Sequence, residues 1–323
     1  MKVLLTGPIY PPGTRYLKKR YDVRCLDNPT EAEIAGEIGD ADAVITRLPG
    51  ITARVIEAAR RLKVIGRFGV GYDNVDVVAA TDRGIPVVYT PGVNARTVAE
   101  HAMGLILALA RRLVFWDRVL KDGRWELRDR ERGVNISGKT LGIIGMGRIG
   151  SMAAQLARAL GMEVVAHDPF VEKERIEKLG VRQVGLDELF RLSDFISIHV
   201  PLTEGTRGMV NRERLRSVKD GAMLVNTSRG QIVEIEPLYE MLQSGKLGGV
   251  ALDVFPEEPP DVGHPIFRHP NFIGTPHVSS MTETLDEMGL VVAQEVSAVL
   301  EGQRPRYVAN PEVFQKVFTG DQR

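Results

Sequence analysis

Three glycines and one acid set the first chemical constraint on this chain. Gly145, Gly147 and Gly150 follow the pattern G-x-G-x-x-G, and Asp168 stands 18 residues past the last of them. Glycines so spaced permit a tight turn, close approach of backbone to a pyrophosphate, and close packing of a helix on a strand. The orphan N–H groups and positive dipole end of the following helix suit the phosphates. An acid placed like Asp168 can accept hydrogen bonds from both ribose hydroxyls of an adenosine and would repel a 2′-phosphate. The motif therefore reads as a dinucleotide site for NAD rather than NADP. A second set comprises Arg229, Asp253, Glu258 and His277, each at or just after an apolar run of strand type. A guanidinium can hold a carboxylate, and a carboxylate–imidazole pair can move a proton.

The elements around these residues must bring them to one edge of a sheet. Leu141–Ile144 reads as a strand buried on both faces. Ile149, Met152, Ala153, Leu156, Ala157 and Leu160 line one face of a helix, and Glu163–His167 closes a βαβ unit ending at Asp168. Further strands are expected at 195–200, 223–226, 249–252 and 272–274, and ligands bind beyond the carboxyl ends of such strands. Earlier in the chain, strands at 2–6, 22–26, 43–46, 63–66 and 86–89 alternate with helices at 31–38, 52–61 and 75–83. The expected class is α/β, with two doubly wound parallel-sheet domains, the first lacking a phosphate fingerprint. Thr97 and Glu100 read as a capping box opening a helix through Ala110. That helix is apolar nearly all round and is expected to be buried between domains or subunits. The charged stretch 111–133 carries Trp116 and Trp125 and reads as an arm onto a partner subunit or as a surface loop. A last helix, 284–300, is expected to cross back to the first domain. The boundaries so read are 1–98 with 284–323 for a discontinuous substrate domain and 99–283 for an inserted NAD-binding Rossmann domain.

Composition narrows the partners. The 323 residues carry 42 Lys plus Arg against 42 Asp plus Glu, so nothing favours nucleic acid or an anionic membrane. Cys25 is the single cysteine, which fits a reducing cytosol and no disulfide framework. The N-terminus is far short of a signal peptide, and the longest apolar run, 102–110, is half a membrane span. A cytoplasmic protein is expected, and no metal site is read. One motif misleads. Gly133–Thr140 matches the P-loop pattern letter for letter, yet a charged loop precedes it and a buried strand follows where a helix is required.

Taken together, 67–76 (RFGVGYDNVD), 141–150 with Asp168, 226–230 (NTSRG), 253–259 (DVFPEEP) and 275–277 (TPH) resemble the D-isomer-specific 2-hydroxyacid dehydrogenase family. The matches run in order through most of the chain. They look most like the D-3-phosphoglycerate dehydrogenases and the glyoxylate/hydroxypyruvate reductases of that family. The resemblance implies a flavodoxin-like substrate domain and an NAD-dependent oxidoreductase moving hydride to or from C2 of a small D-2-hydroxy acid. Phosphoglycerate is the first expectation, and glyoxylate, hydroxypyruvate or another small D-2-hydroxy acid of the family the alternative. A homodimer is implied as well. The chain ends at Arg323, so serine feedback through an appended regulatory domain is not expected.

The same resemblance assigns catalysis to Arg229, Glu258 and His277, with Glu258 chosen over Glu257 because it directly precedes Pro259. Arg229 would hold the 2-oxo acid's carboxylate and polarise its carbonyl, His277 would exchange a proton with the carbonyl oxygen, and Glu258 would fix the ring. The amides of Val70 and Gly71 are implied near the substrate carboxylate, with Val70 also beside the cofactor. Arg47 after the third strand is a candidate second anchor for a phosphate or carboxylate, or else a solvated surface side chain. Around the cofactor, Arg148 and Ile149 are placed at the pyrophosphate, Val200 and Thr206 on the adenosine side, and Thr227, Ser228 and Asp253 towards the nicotinamide. Two other readings stay open. One is formate or phosphite oxidation on the same scaffold, against which Glu258 argues because the formate enzymes resemble this chain with Gln there. The other is an NAD-sensing interaction protein like the superfamily's transcriptional corepressors.

Overall fold

A computed structural model describes residues 1–315, so the last part of the expected substrate segment, 316–323, lies outside the described residues. The chain divides into two units, Met1–Asn94 with the chain from Met281 on, and Ala95–Ser280.

In the first unit the elements run β1 (Lys2–Leu5), α1 (Tyr10–Lys18), β2 (Asp22–Cys25), α2 (Glu31–Glu37), β3 (Ala43–Thr46), α3 (Ala53–Ala58), β4 (Val64–Arg67), α4 (Val77–Asp82) and β5 (Val87–Val88). All pairings are parallel, in the order β2-β1-β3-β4-β5, which is the flavodoxin-like arrangement. Central β3 (AVIT) is buried at every position, as a parallel strand covered on both faces must be. Helix α2 starts where Thr30 and Glu33 cap each other's backbone N–H groups. The helix from the end of the described chain, Thr284–Leu300, packs Val292 and Val296 beneath Gly66 of β4. It also crosses α1 closely, because Gly13 and Gly289 bring backbone against backbone.

The second unit runs α5 (Ala95–Ala110), α6 (Leu113–Lys121), β6 (Thr140–Ile144), α7 (Arg148–Ala159), β7 (Glu163–His167), α8 (Lys173–Glu177), β8 (Arg182–Gln183), α9 (Leu186–Leu192), β9 (Phe195–Ile198), α10 (Arg212–Ser217), β10 (Ala222–Asn226), α11 (Ile235–Gln243), β11 (Leu247–Leu252) and β12 (Phe272–Gly274). Its sheet is parallel in the order β12-β11-β10-β9-β6-β7-β8. Strand order therefore reverses between β6 and β9, the kind of switch point beyond whose carboxyl ends such sheets bind their ligands. No helix among the described residues is long and apolar enough to cross a membrane.

Three local expectations are corrected. Helix α5 begins at Ala95, so Thr97 lies in its first turn instead of capping it, and Glu100 pairs with Arg96 at 2.6 Å. Its buried face, Ala99, Ala102, Met103, Ile106 and Leu109, joins β6 and α7 in the second unit's own core. The stretch 111–133 is no plain loop, since it holds α6 and a 3-10 turn at Trp125–Asp129. By contrast, Thr140 of the P-loop-like stretch does open strand β6, its N–H bonded to Asp194 at 2.9 Å.

Candidate active site

The glycine loop leaves β6 at the switch point. Gly145 has φ +96°, and a Cβ there would lie 2.7 Å from the His199 carbonyl oxygen and 2.8 Å from Val200 Cγ1. The loop is thus pressed against the end of β9. A Cβ on Gly150 would overlap the Gly145 carbonyl, which is why α7 can pack so close to its strand. At Gly147 the opposite holds: a Cβ would meet nothing within 4 Å, and Gly147 and Arg148 face solvent with Ile149 half-buried. No side chain caps α7 at Gly147, so its first-turn N–H groups present a phosphate site.

Asp168 follows β7 and is buried. Its Oδ2 accepts the Met146 N–H at 2.8 Å and its Oδ1 the Phe170 N–H at 2.9 Å, which ties the acid to the glycine loop. Each oxygen keeps a lone pair for a hydroxyl donor. At the end of β9, His199 Nε2 lies 2.8 Å from Ser197 Oγ, and burial pushes the ring's pKa down to about 4, so it is neutral at physiological pH. Val200 beside it is half-buried. Thr206 gives its proton to the Pro201 carbonyl at 2.7 Å and accepts the Thr203 N–H at 2.8 Å, so its hydroxyl shapes its own loop.

The reactive side chains follow three neighbouring strands, β10, β11 and β12. After β10, fully buried Asn226 staples a turn: Oδ1 accepts the Ser228 N–H at 3.0 Å and hydroxyl at 2.7 Å, while Nδ2 donates to the Arg229 carbonyl at 2.8 Å. This Asx-type turn presents Arg229, half-buried, with Nη1 on the Ser228 carbonyl at 2.7 Å. Thr227 Oγ1 is buried there without a partner. Gly230 has no room for a side chain, since a Cβ would sit 1.9 Å from the Phe255 carbonyl carbon. The Arg229 turn therefore lies directly on the segment that carries Glu258.

Glu258 Oε2 lies 2.8 Å from His277 Nδ1, and its Oε1 accepts the Phe255 N–H at 3.1 Å. Burial raises the Glu258 carboxyl, but the bond and charge of His277, the Phe255 N–H and the charge of Arg229 outweigh it and hold the group below the usual carboxylate range. An ionised carboxylate accepts only, so Nδ1 of His277 carries the proton and Nε2 is the nitrogen left to exchange one. His277 itself has φ +53°, a left-handed backbone that His tolerates better than most residues. Asp253 enforces it. Its carbonyl accepts the His277 N–H at 2.8 Å, and its fully buried carboxylate takes the Thr275 hydroxyl at 2.6 Å and the N–H groups of Val278 and Ser279 at 2.9 Å each.

These residues fit a dinucleotide: open space over Gly147, uncapped helix amides, a carboxylate with acceptor capacity to spare and an orphaned hydroxyl at Thr227. Arg47, Val70 and Gly71 belong to the first unit. There, Arg47 sits 5.8 Å from the ring centroids of Tyr10 and Phe68, with Nη2 3.0 Å from Met281 Sδ. Asn226, Phe255 and Thr275 stand in the motifs 226–230, 253–259 and 275–277, but sequence alone assigns none of them a role of its own. An Asn closing a buried strand before Thr-Ser was the one available signal. Among the described residues, no cluster of three or more His, Cys, Asp or Glu side chains could hold a metal ion.

A family model described as the D-isomer specific 2-hydroxyacid dehydrogenase NAD binding domain matches residues 103–279. The chain is 41% identical over 313 residues to a D-3-phosphoglycerate dehydrogenase of Archaeoglobus fulgidus, covering 96% of this chain and 59% of that protein. It is also 41% identical over 322 residues to a glyoxylate reductase of Korarchaeum cryptofilum, covering 97% of each. Thus the chain spans about three-fifths of the length of the phosphoglycerate dehydrogenases it matches, 59% in one case and 61% in another. Among solved structures, D-lactate dehydrogenase of Aquifex aeolicus with NAD and lactic acid superposes with TM-score 0.86 at 30% identity, over 94% of this chain and 96% of that one.

Proposed function

The chain belongs to the D-isomer-specific 2-hydroxyacid dehydrogenase family, and on that premise we propose that it interconverts a small D-2-hydroxy acid and its 2-oxo acid. The observation that carries this is the His277–Glu258 bond at 2.8 Å, with the charge of Arg229 acting on the same carboxylate. Nicotinamide, when bound, supplies or accepts the hydride. Arg229 binds the substrate carboxylate through its planar fork and draws electron density from the adjacent carbonyl. His277 Nε2 gives a proton to the carbonyl oxygen in reduction and takes it back in oxidation, while Glu258 holds the ring and balances its charge. The amides of Val70 and Gly71 assist at the carboxylate.

For the cofactor, the α7 amides with Arg148 and Ile149 would hold the pyrophosphate and Asp168 the ribose. Val200 and Thr206 would lie on the adenosine side, with Thr227, Ser228, Asp253 and Val70 towards the nicotinamide. Within the substrate class, 3-phosphohydroxypyruvate with D-3-phosphoglycerate comes first, because Arg47 and Arg67 supply two cations in the unit that holds the Val70 loop. Hydroxypyruvate or glyoxylate is the second reading, favoured by the glyoxylate reductase that matches end to end. Comparing kcat/KM with NADH across 3-phosphohydroxypyruvate, hydroxypyruvate, glyoxylate and pyruvate decides between them. A protein that binds NADH and turns over none of the four acts on another 2-oxo acid or, if a wider panel is also left untouched, is a sensor and not a dehydrogenase.

The chain is further proposed to act as a cytoplasmic homodimer. Leu113, Val114, Leu120 and Trp125 on and after α6 are each more than half exposed, an apolar surface that a second copy would cover. Light scattering should give twice the chain mass, and Leu120→Glu with Trp125→Glu should give a monomer.

A further inference from the structure

Helix α5 brings a histidine to the reactive loop from far away in sequence. His101 Nε2 lies 3.3 Å from Thr275 Oγ1 and 3.6 Å from Asp253 Oδ1. Thr275 has a single hydroxyl proton, and at 2.6 Å it goes to Asp253. The contact with His101 therefore needs a proton from the other side, so Nε2 of His101 is the protonated nitrogen. Fed by that donor, the Thr275 hydroxyl has no alternative to pointing at Asp253. The Asp253 carboxylate in turn anchors the amides of Val278 and Ser279, and its carbonyl holds the amide of His277. A left-handed residue such as His277 keeps its conformation only where its surroundings over-determine it.

We propose that His101 is a positioning residue for the reaction: through Thr275 and Asp253 it fixes the turn that aims His277 at substrate and at Glu258. This rests on the dehydrogenase reading above, but the geometry it predicts can be read without turnover. His101 contacts Thr275 and Asp253 and not Arg229, Glu258 or His277, so its loss should misaim the ring far more than it weakens the binding of cofactor and acid.

Two variants separate the outcomes. His101→Phe keeps a ring and removes the donor, while His101→Gln keeps an N–H. His101→Phe should lower kcat about tenfold, as expected for a small misplacement of a reacting group. KM for the preferred 2-oxo acid and Kd for NADH should stay within about twofold, and His101→Gln should restore most of kcat. In protein labelled with 15N-histidine, the His101 signals should report a protonated Nε2. The His277 ring signals should shift in His101→Phe towards those of Glu258→Gln, and remain in place in His101→Gln. Unchanged kcat in His101→Phe, a loss confined to NADH affinity, equal damage in both variants, or an unprotonated Nε2 in the parent protein would each overturn the proposal. A parent protein inactive on every 2-oxo acid sinks the dehydrogenase reading instead, and the His277 signals still decide whether His101 aims that ring.

Discussion

Gly230 offers the sharpest mechanical test, because one methyl group there should separate the anion anchor from the proton-transfer pair. A Cβ on Gly230 would lie 1.9 Å from the Phe255 carbonyl carbon, whereas ordinary contact begins at 3.4 Å. The Arg229 turn and the Phe255–Glu258 segment must then part by about 1.5 Å, since both neighbours are backbone and cannot rotate aside. Arg229 is fixed to its turn by Asn226, and Glu258 is fixed to Phe255, so the displacement passes to both. A misplacement of about 1 Å in a reacting constellation costs on the order of 10²-fold. Gly230→Ala should therefore lower kcat/KM for the best 2-oxo acid by about a hundredfold, followed as NADH consumption. Overpacking should also cost about 1–3 kcal/mol of stability in a denaturant melt. NADH affinity, measured by fluorescence titration, should fall far less than kcat/KM, because the glycine loop and Asp168, which would hold the pyrophosphate and ribose, follow β6 and β7 and not the displaced turn. A folded Gly230→Ala protein with kcat/KM within about threefold of the parent refutes the reasoning, since Arg229 would then not need its place against Glu258.

Other expectations follow from the same geometry. Glu258→Gln removes a charged partner from His277 and should lower kcat about 10- to 100-fold with NADH binding unchanged, as shown by titration beside turnover. Asp168→Ala should raise KM for NADH about tenfold and narrow the preference over NADPH, and an unaltered cofactor ratio would remove the acid from recognition. His199 gives a pH effect whose sign is fixed by its pKa of about 4, against 6.5 when unfolded. As pH falls the unfolded chain takes up the proton first, so this stability is complete above the unfolded value and is lost as pH drops through the folded one. At about 1.36 kcal/mol per pKa unit, urea melts should show the parent losing up to roughly 2 kcal/mol more than His199→Asn between about pH 7.5 and 5. Equal losses would show that the ring is not enclosed.

Much of this was legible because parallel sheets write themselves plainly. Ala43–Thr46 and Phe272–Gly274 are strands where their apolar runs stand, and the glycines and Asp168 declare the crevice because their spacing reports backbone geometry directly. Helix starts were less legible. Thr97 looks like a cap, yet Ala95 and Arg96 already continue into α5, and Arg96 claims Glu100. In 111–133 the charges hid α6, which buries Val119 alone among its apolar side chains and leaves Leu113, Val114 and Leu120 exposed, so periodicity against a core was a poor guide. At the candidate site the reactive types could be read in order along the chain. Their supports could not, because Asn226, Gly230, Thr275 and His101 act through contacts between strand ends and α5 that no local pattern encodes.

The central claim is that His277, backed by Glu258, exchanges the proton that accompanies hydride transfer. Its most direct measurement is single-turnover oxidation of enzyme-bound NADH by the preferred 2-oxo acid, in the parent protein and in His277→Asn. The parent should oxidise its bound NADH in one rapid phase. The variant should bind NADH with the parent's affinity and leave it unoxidised on that timescale. A variant that oxidises bound NADH at the parent's rate contradicts the account.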